Sequence, residues 1–360
     1  MSFFGSKNLS YLGVDIGNAG VKVVELKNED GKPRLVTYGY ADFPLTQDVN
    51  SKQETEDVIA ELVRKICETA GVVTNKVVAA LPNFSVFSSI ISLPEMKKSE
   101  LDQAVLWEAK KFVPLPIEEM NLYSEVIDKQ GTDDKLKTDE KDGSSKNKHL
   151  KVLVVAAPKK NAIRYTNIFE KAGLDLINLE TESFALERSL VGHEEFPVMI
   201  VDIGAVSADI SIIDKSIPVI NRTVDTGGIS ITRRIAKSIN VDLKRAEQFK
   251  KDIGFSGQEV NQGVPKAIET SIEPVINEIK YCFDLYLSQE ENKHIEKIIL
   301  TGGSAYLPNL TDYLGRLLNI KVIIGDPWAR VIYPVELKSV LDQIGPRFSV
   351  AVGLAMREIE

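Results

Sequence analysis

The stretch GVDIGNAGVKVVEL, residues 13 to 26, reads as strand, turn, strand. Leu12, Val14 and Ile16 alternate on one side, Gly17-Asn18-Ala19-Gly20 makes a tight turn, and Val21 to Leu26 leads away. The pattern returns as VDIGAVSADISII at 201 to 213, with Val-Asp-Ile-Gly identical. The repeat predicts two similar halves, each opening with one hairpin, facing one another across a cleft. Backbone N–H groups in a turn of small residues can converge on an anion without positive side chains. An aspartate, Asp15 or Asp202, precedes each turn, and a carboxylate beside phosphates commonly holds Mg²⁺, usually through its waters. Two such aspartates across a cleft suit a nucleotide triphosphate and its metal. The loop is no P-loop, because GxxxxGK[ST] is absent and the turn joins two strands; GxGxxG is absent too.

Composition agrees with a small-molecule or protein partner. The chain has 360 residues, 43% of them hydrophobic, enough for two or more domains. Its 44 basic residues are outnumbered by 52 acidic ones, for a net charge of -8, which argues against a nucleic-acid binder. Cys67 and Cys282 lie far apart and read as buried small hydrophobes, and His149, His193 and His294 form no metal constellation by spacing. MSFFGSKNLS is too short and polar for a secretion signal, and the longest apolar stretch is interrupted by Asp202 and Asp209. A soluble, cytosolic protein is expected.

Along the chain, EDVIAELVRKICETAG carries Val58, Ile59, Leu62, Val63 and Ile66 at helical spacing, with Gly71 as a left-handed stop. KVVAALP is a buried strand ended by Pro82. From Asn83 the texture changes: a strand SVFSSIISLP, then Ser99-Glu100-Leu101-Asp102 as a capping box for a helix through Lys111, stopped by Pro114 and Pro116. Residues 128 to 149 are almost wholly polar and read as a flexible loop. KVLVVAAP and a helix from Ala162 to Ala172, ended by Gly173, complete a small α+β module inserted at 84–174. A third element, IEKIILTGGSAYLPNL at 295 to 310, is a buried strand running into Gly302-Gly303-Ser304, where missing side chains leave room for a flat ring against backbone; a helix follows from about Asn309.

The ordered set of hairpin, inserted module, second hairpin, helical region and strand-Gly-Gly resembles the actin-like ATPase superfamily, which includes actin, heat-shock ATPases, sugar kinases and the bacterial proteins FtsA and MreB. Within it the chain most resembles the PilM family of type IV pilus assembly proteins. Three stretches carry this: YLGVDIGNAGVKVVEL, WEAKKFVPLPIEEM and LETESFALERSL. The fold implied is α/β, an actin-like (ribonuclease H-like) two-domain architecture. Residues 1–83 and 175–196 form the first domain around the inserted module, 197–340 the second, and 341–360 a helix returning to the first. FtsA has its extra module at the same place but usually ends in a linker and a membrane-binding amphipathic helix, whereas RFSVAVGLAMREIE reads as a packed final helix.

The resemblance implies ATP and Mg²⁺ as ligands. Asp15 and Asp202 position the metal, and backbone around Gly17, Asn18, Ala19, Gly204, Ala205 and Ser207 holds the phosphates. Asn18 is bulkier than the usual small residue, and Val206 makes the second turn less glycine-rich. Lys22 falls where a phosphate-contacting lysine is often placed; a solvent-facing strand lysine is the alternative. Gly302, Gly303 and Tyr306 match the adenosine motif. Glu247 and Lys250, three apart on one helical face, occupy the position where related proteins touch ribose and base, with a surface ion pair as the alternative. Gly227-Gly228 turns the chain into a helix beginning near Ser230. Glu182 lies where the water-orienting residue is found, and could equally be a helix N-terminal carboxylate favoured by the dipole. A slow ATPase or a protein that merely holds ATP both fit.

For partners, the resemblance implies that the N-terminal cytoplasmic tail of a PilN-like membrane protein lies in a groove between module and first domain. Phe84, Val86, Phe87, Trp107, Phe112, Val113 and Leu115 are the apolar supply there, most of them ordinary core. Membrane association is then indirect, on the cytoplasmic face of the inner membrane, in a pilus or type II secretion platform, with self-association a further option. The alternatives are an FtsA-like cell-division filament protein and a small-molecule kinase of the same fold, although no set of kinase substrate contacts stands out.

Overall fold

A computed structural model describes residues 9–43, 55–130, 149–192, 194–255, 263–289 and 293–359. His193 and most of the polar loop expected at 128–149 lie outside the described residues. The duplicated hairpin is the start of a duplicated sheet. The first has strand order β3-β2-β1-β4-β8, with β1 Ser10–Gly17, β2 Gly20–Glu29, β3 Lys32–Asp42, β4 Lys76–Leu81 and β8 Asp175–Thr181. The second repeats it as β11-β10-β9-β12-β13, with β9 Val198–Ile203, β10 Ala208–Asp214, β11 Ile217–Val224, β12 Lys297–Thr301 and β13 Lys321–Ile324. In both, three antiparallel strands are followed by two parallel ones. This is the expected α/β actin-like architecture.

Registers repeat as well. Asp15 of β1 sits opposite Lys22 of β2, and Asp202 of β9 sits opposite Asp209 of β10. Directly opposed residues share a face of the sheet, so each hairpin presents a pair of charged side chains beside its turn.

Helices α1 (Glu56–Ala70), α4 (Glu182–Leu190) and α9 (Lys338–Met356) belong to the first half, and α5 (Gly228–Ile239), α6 (Leu243–Ile253), α7 (Gly263–Leu287) and α8 (Leu310–Leu318) to the second. α1 buries the predicted stripe of Ile59, Val63 and Ile66 and ends at Gly71 with φ +68°. The final helix is buried at every position from Phe348 to Met356, as a helix apolar all round should be. One core cluster joins both sheets through Val78, Ala80, Val198, Ile200 and Ile299, with Ala185 and Leu186 of α4 and Val350 and Leu354 of α9 packed among them. Backbone meets backbone at two glycines: a Cβ on Gly13 would lie 2.0 Å from the Ala351 carbonyl oxygen, and one on Gly353 would lie 1.8 Å from that of Ala185.

Phe84–Ile163 forms a compact unit of its own. In it β7 (His149–Pro158) pairs antiparallel with β5 (Phe87–Pro94) and β6 (Met120–Gln130), and α2 (Lys98–Phe112) covers the sheet with Val105, Ala109 and Val113 packed against Val152 and Val154. α2 starts a residue before the expected capping-box serine, because Glu100 reaches back to the Lys97 N–H at 3.4 Å. α3 (Lys159–Lys171) begins in this unit and from Arg164 belongs to the larger one, where Lys171 pairs with Asp57 of α1 at 2.8 Å. No helix among the described residues is long and apolar enough to cross a membrane.

Candidate functional site

In the first hairpin, pairing of Asp15 with Lys22 brings Oδ2 within 2.9 Å of Nζ, with both side chains largely buried. The solvent-facing alternative for Lys22 is thereby set aside. The ammonium lies under the turn, 3.1 Å from where a Gly17 Cβ would stand. Gly20 has φ +153° and is pressed against Ala41, and the Ala19 carbonyl accepts from Phe43 N–H at 2.8 Å, while Asn18 points to solvent.

The second turn is built differently. The Gly204 N–H, expected to hold phosphate, is instead donated to the Ser207 carbonyl at 3.0 Å. Gly204 and Ala205 carbonyls accept from the Gly228 and Ile229 N–H groups, each at 2.9 Å, at the start of α5. Asp209 occupies the register position that Lys22 holds in the first hairpin, so Asp202 faces a carboxylate where Asp15 faces an ammonium. Asp209 accepts from Thr223 Oγ1 at 2.5 Å.

Burial, the Asp209 charge and the Asp15 charge push the Asp202 carboxyl up to about 7. Burial pushes Asp209 to about 6 against hydrogen bonds from Thr223 and Asn83. Glu182 opens α4 and accepts the Asn83 N–H at 2.9 Å. Burial raises its carboxyl well above the usual range, followed by the charges of Asp209 and Asp15. Four carboxylates therefore sit in one desolvated field. Asp209 was missed as a site residue; the sign of its role lay in the repeat itself, seven residues after Asp202 as Lys22 is seven after Asp15.

The strand-Gly-Gly element closes on the same place. Gly302 has φ +85°, and a Cβ there would lie 2.1 Å from Asp202 Oδ1. Gly303 has nothing within 4 Å of its Cβ position, leaving open backbone. Tyr306 is half exposed, its hydroxyl donating to the Asp342 carbonyl. Pro346 of α9 has no N–H to give that carbonyl, so the tyrosine supplies the missing donor. Pro346's own carbonyl accepts from Gly302 N–H at 3.0 Å and Thr301 Oγ1 at 2.9 Å. Glu247 and Lys250 form an ion pair at 2.7 Å, and Lys250 is buried, so a surface pair is not what they make.

The sequence profile of the type IV pilus assembly protein PilM family matches residues 13–359. The chain belongs to the PilM family. The chain of a PilM-PilN type IV pilus biogenesis complex superposes with a TM-score of 0.78 at 25% identity, covering 97% of this chain and 98% of that one. The ethanolamine utilization protein EutJ from Carboxydothermus hydrogenoformans shares the fold, with TM-score 0.56, 17% identity and coverage of 96% and 89%. Among curated proteins, the cell division protein FtsA of Enterococcus faecalis is 23% identical over 379 aligned positions, spanning 94% of this chain and 86% of the relative. In this PilM-family chain, Asp15, Lys22, Glu182, Asp202, Gly302 and Gly303 are all brought to one site.

Proposed function

We propose that this chain is an ATP-binding, actin-like component of a type IV pilus or related secretion platform. The observation that carries the reading is that the Asp15–Lys22 pair, the Asp202–Asp209 pair and the Gly302–Gly303 backbone lie together, with Asp202 Oδ1 2.1 Å from where a Gly302 Cβ would stand. The triphosphate lies between the two turns, with Lys22 and the backbone of Gly17, Asn18, Ala19, Ala205 and Ser207 facing it, and the base lies along Gly302, Gly303 and Tyr306. Asp15 and Asp202 are oxygen donors suited to Mg²⁺. Bound Mg²⁺ supplies charge neutralisation to the phosphates and to these buried carboxylates.

Glu182 orients the attacking water. Its place at the start of α4, held by the Asn83 N–H at 2.9 Å, supports a water-positioning role, with a slow ATPase or a protein that merely holds ATP as the activity. The partner we propose is the N-terminal cytoplasmic tail of a PilN-like membrane protein, supported by the likeness to the PilM-PilN complex. Through that tail the chain sits on the cytoplasmic face of the inner membrane.

Equilibrium Mg-ATP binding to nucleotide-free protein tests the site. Asp15→Ala and Asp202→Ala, checked for folding, are expected to weaken binding at least tenfold each. No binding by the parent at millimolar nucleotide would sink the reading. A fluorescent tail peptide titrated with and without Mg-ATP tests the partner.

A further inference from the structure

Lys250 lies on α6 and is 6% exposed. Its ammonium donates to the Gly228 carbonyl at 3.1 Å and to Thr232 Oγ1 at 3.0 Å, and pairs with Glu247 Oε2 at 2.7 Å. An ammonium has three N–H donors, and these three partners take all of them. Thr232 in turn places its hydroxyl within 2.9 Å of the Gly228 carbonyl and 2.6 Å of Glu247 Oε2. Lys250 therefore bolts α6 to the first turn of α5.

That first turn is what shapes the second phosphate turn. Gly228 and Ile229 N–H groups pull on the carbonyls of Gly204 and Ala205. In a trans peptide the C=O of one residue and the N–H of the next point in opposite directions. With both carbonyls drawn toward α5, the N–H groups of Ala205 and Val206 are turned away from it. Gly227 packs so tightly on the same peptides that a Cβ would come within 2.6 Å of the Ala205 carbonyl carbon and 2.7 Å of the Val206 nitrogen. Ser304 Oγ and Lys250 Nζ both pack on Gly228, 2.8 Å and 3.3 Å from its Cβ position.

We infer that Lys250 is a positioning residue for the phosphate turn at Gly204–Ser207, acting through Gly228, and makes no contact of its own with ribose or base. The inference rests on reading the cleft as a nucleotide site. It also adds the Val206 N–H to the groups that hold phosphate, so the valine is no defect in the turn: its side chain is irrelevant to what its backbone donates.

The test titrates Mg-ATP and Mg-2′,3′-dideoxy-ATP against the parent, Lys250→Met and Gly227→Ala, with thermal melts to confirm folding. If Lys250 acts on the phosphate turn, Lys250→Met binds both nucleotides roughly tenfold more weakly, the size of one charge-assisted hydrogen bond, and Gly227→Ala, whose methyl would push on the Ala205 and Val206 peptides, weakens both as well. The ratio of the two affinities stays that of the parent. A Lys250→Met ratio that moves toward one relative to the parent places the ammonium on the ribose and overturns the inference, as does an unchanged Mg-ATP affinity. Thr232→Val, which removes one acceptor of Lys250 and spares the ion pair, carries the same ratio test should the methionine variant misfold. Failure of the parent to bind either nucleotide overturns the site reading itself, an outcome visible before any variant is used.

Discussion

Asp202 faces Asp209 across β9 and β10 in the register that gives Asp15 its lysine, and this one difference between the halves sets their electrostatics. The ordinary aspartate value is 3.8, and in the fold Asp202 stands near 7. A folded value raised above the unfolded one means stability that is fully present below about pH 4 and is lost as pH rises through 7. At about 1.4 kcal/mol per pKa unit the loss is a few kcal/mol. Asp202→Asn is expected to remove it, so the melting temperature of the parent falls relative to the variant as pH rises from about 5 to about 8; parallel curves would refute this. At Gly303 the opposite holds, since nothing lies near its Cβ position. Gly303→Ala is expected to leave stability within about 0.5 kcal/mol. Binding of Mg-ATP should nonetheless weaken if the base rests on that backbone, which calorimetry on the folded variant would read directly.

At the scale of elements, α9 ties the site together. Its proline-interrupted turn holds Gly302 and Thr301 through the Pro346 carbonyl and Tyr306 through that of Asp342. Its C-terminal half lies against β1 at Gly13 and against α4 at Gly353, where Arg188 also donates to the Gly353 carbonyl at 2.6 Å. Both contacts are backbone on backbone, so they cannot yield by rotamer change. Gly353→Ala is accordingly expected to cost more than about 3 kcal/mol, seen as loss of the cooperative melt or of soluble expression. A variant as stable as the parent would show that α4 and α9 slide freely, and with them Glu182 relative to Gly302.

For the whole molecule, the two sheets share one core cluster and carry their charged pairs on matching hairpins, so a ligand held by both turns should stabilise both halves at once. At a hundredfold excess over Kd, Mg-ATP is expected to add about 2.7 kcal/mol to stability. Hydrogen exchange should slow together in residues 13–26, 201–213 and 300–306. Slowing in the first segment alone would mean that the nucleotide touches one half.

Read by itself, the sequence determined the duplication, because a hairpin that alternates about a glycine turn and recurs with Val-Asp-Ile-Gly intact leaves little choice of local structure. It also marked the strand-Gly-Gly loop and the inserted module, because glycines and a change of texture punctuate the chain there, whereas Asp15, Lys22, Glu182, Asp202 and Gly303 were grouped by resemblance to a known family and not by spacing alone. The partners that cross between elements were decided by tertiary structure. Asp209 looked like any strand aspartate until β9 and β10 paired in register. Lys250 and Glu247 sit three apart on a helix whether exposed or buried, and only the packing of α6 on α5 removed the ammonium from solvent and spent its donors on Gly228 and Thr232. Spacing along a helix or strand fixes which residues are neighbours on one face; what that face meets, and how much water is left there, depends on contacts distant in the chain.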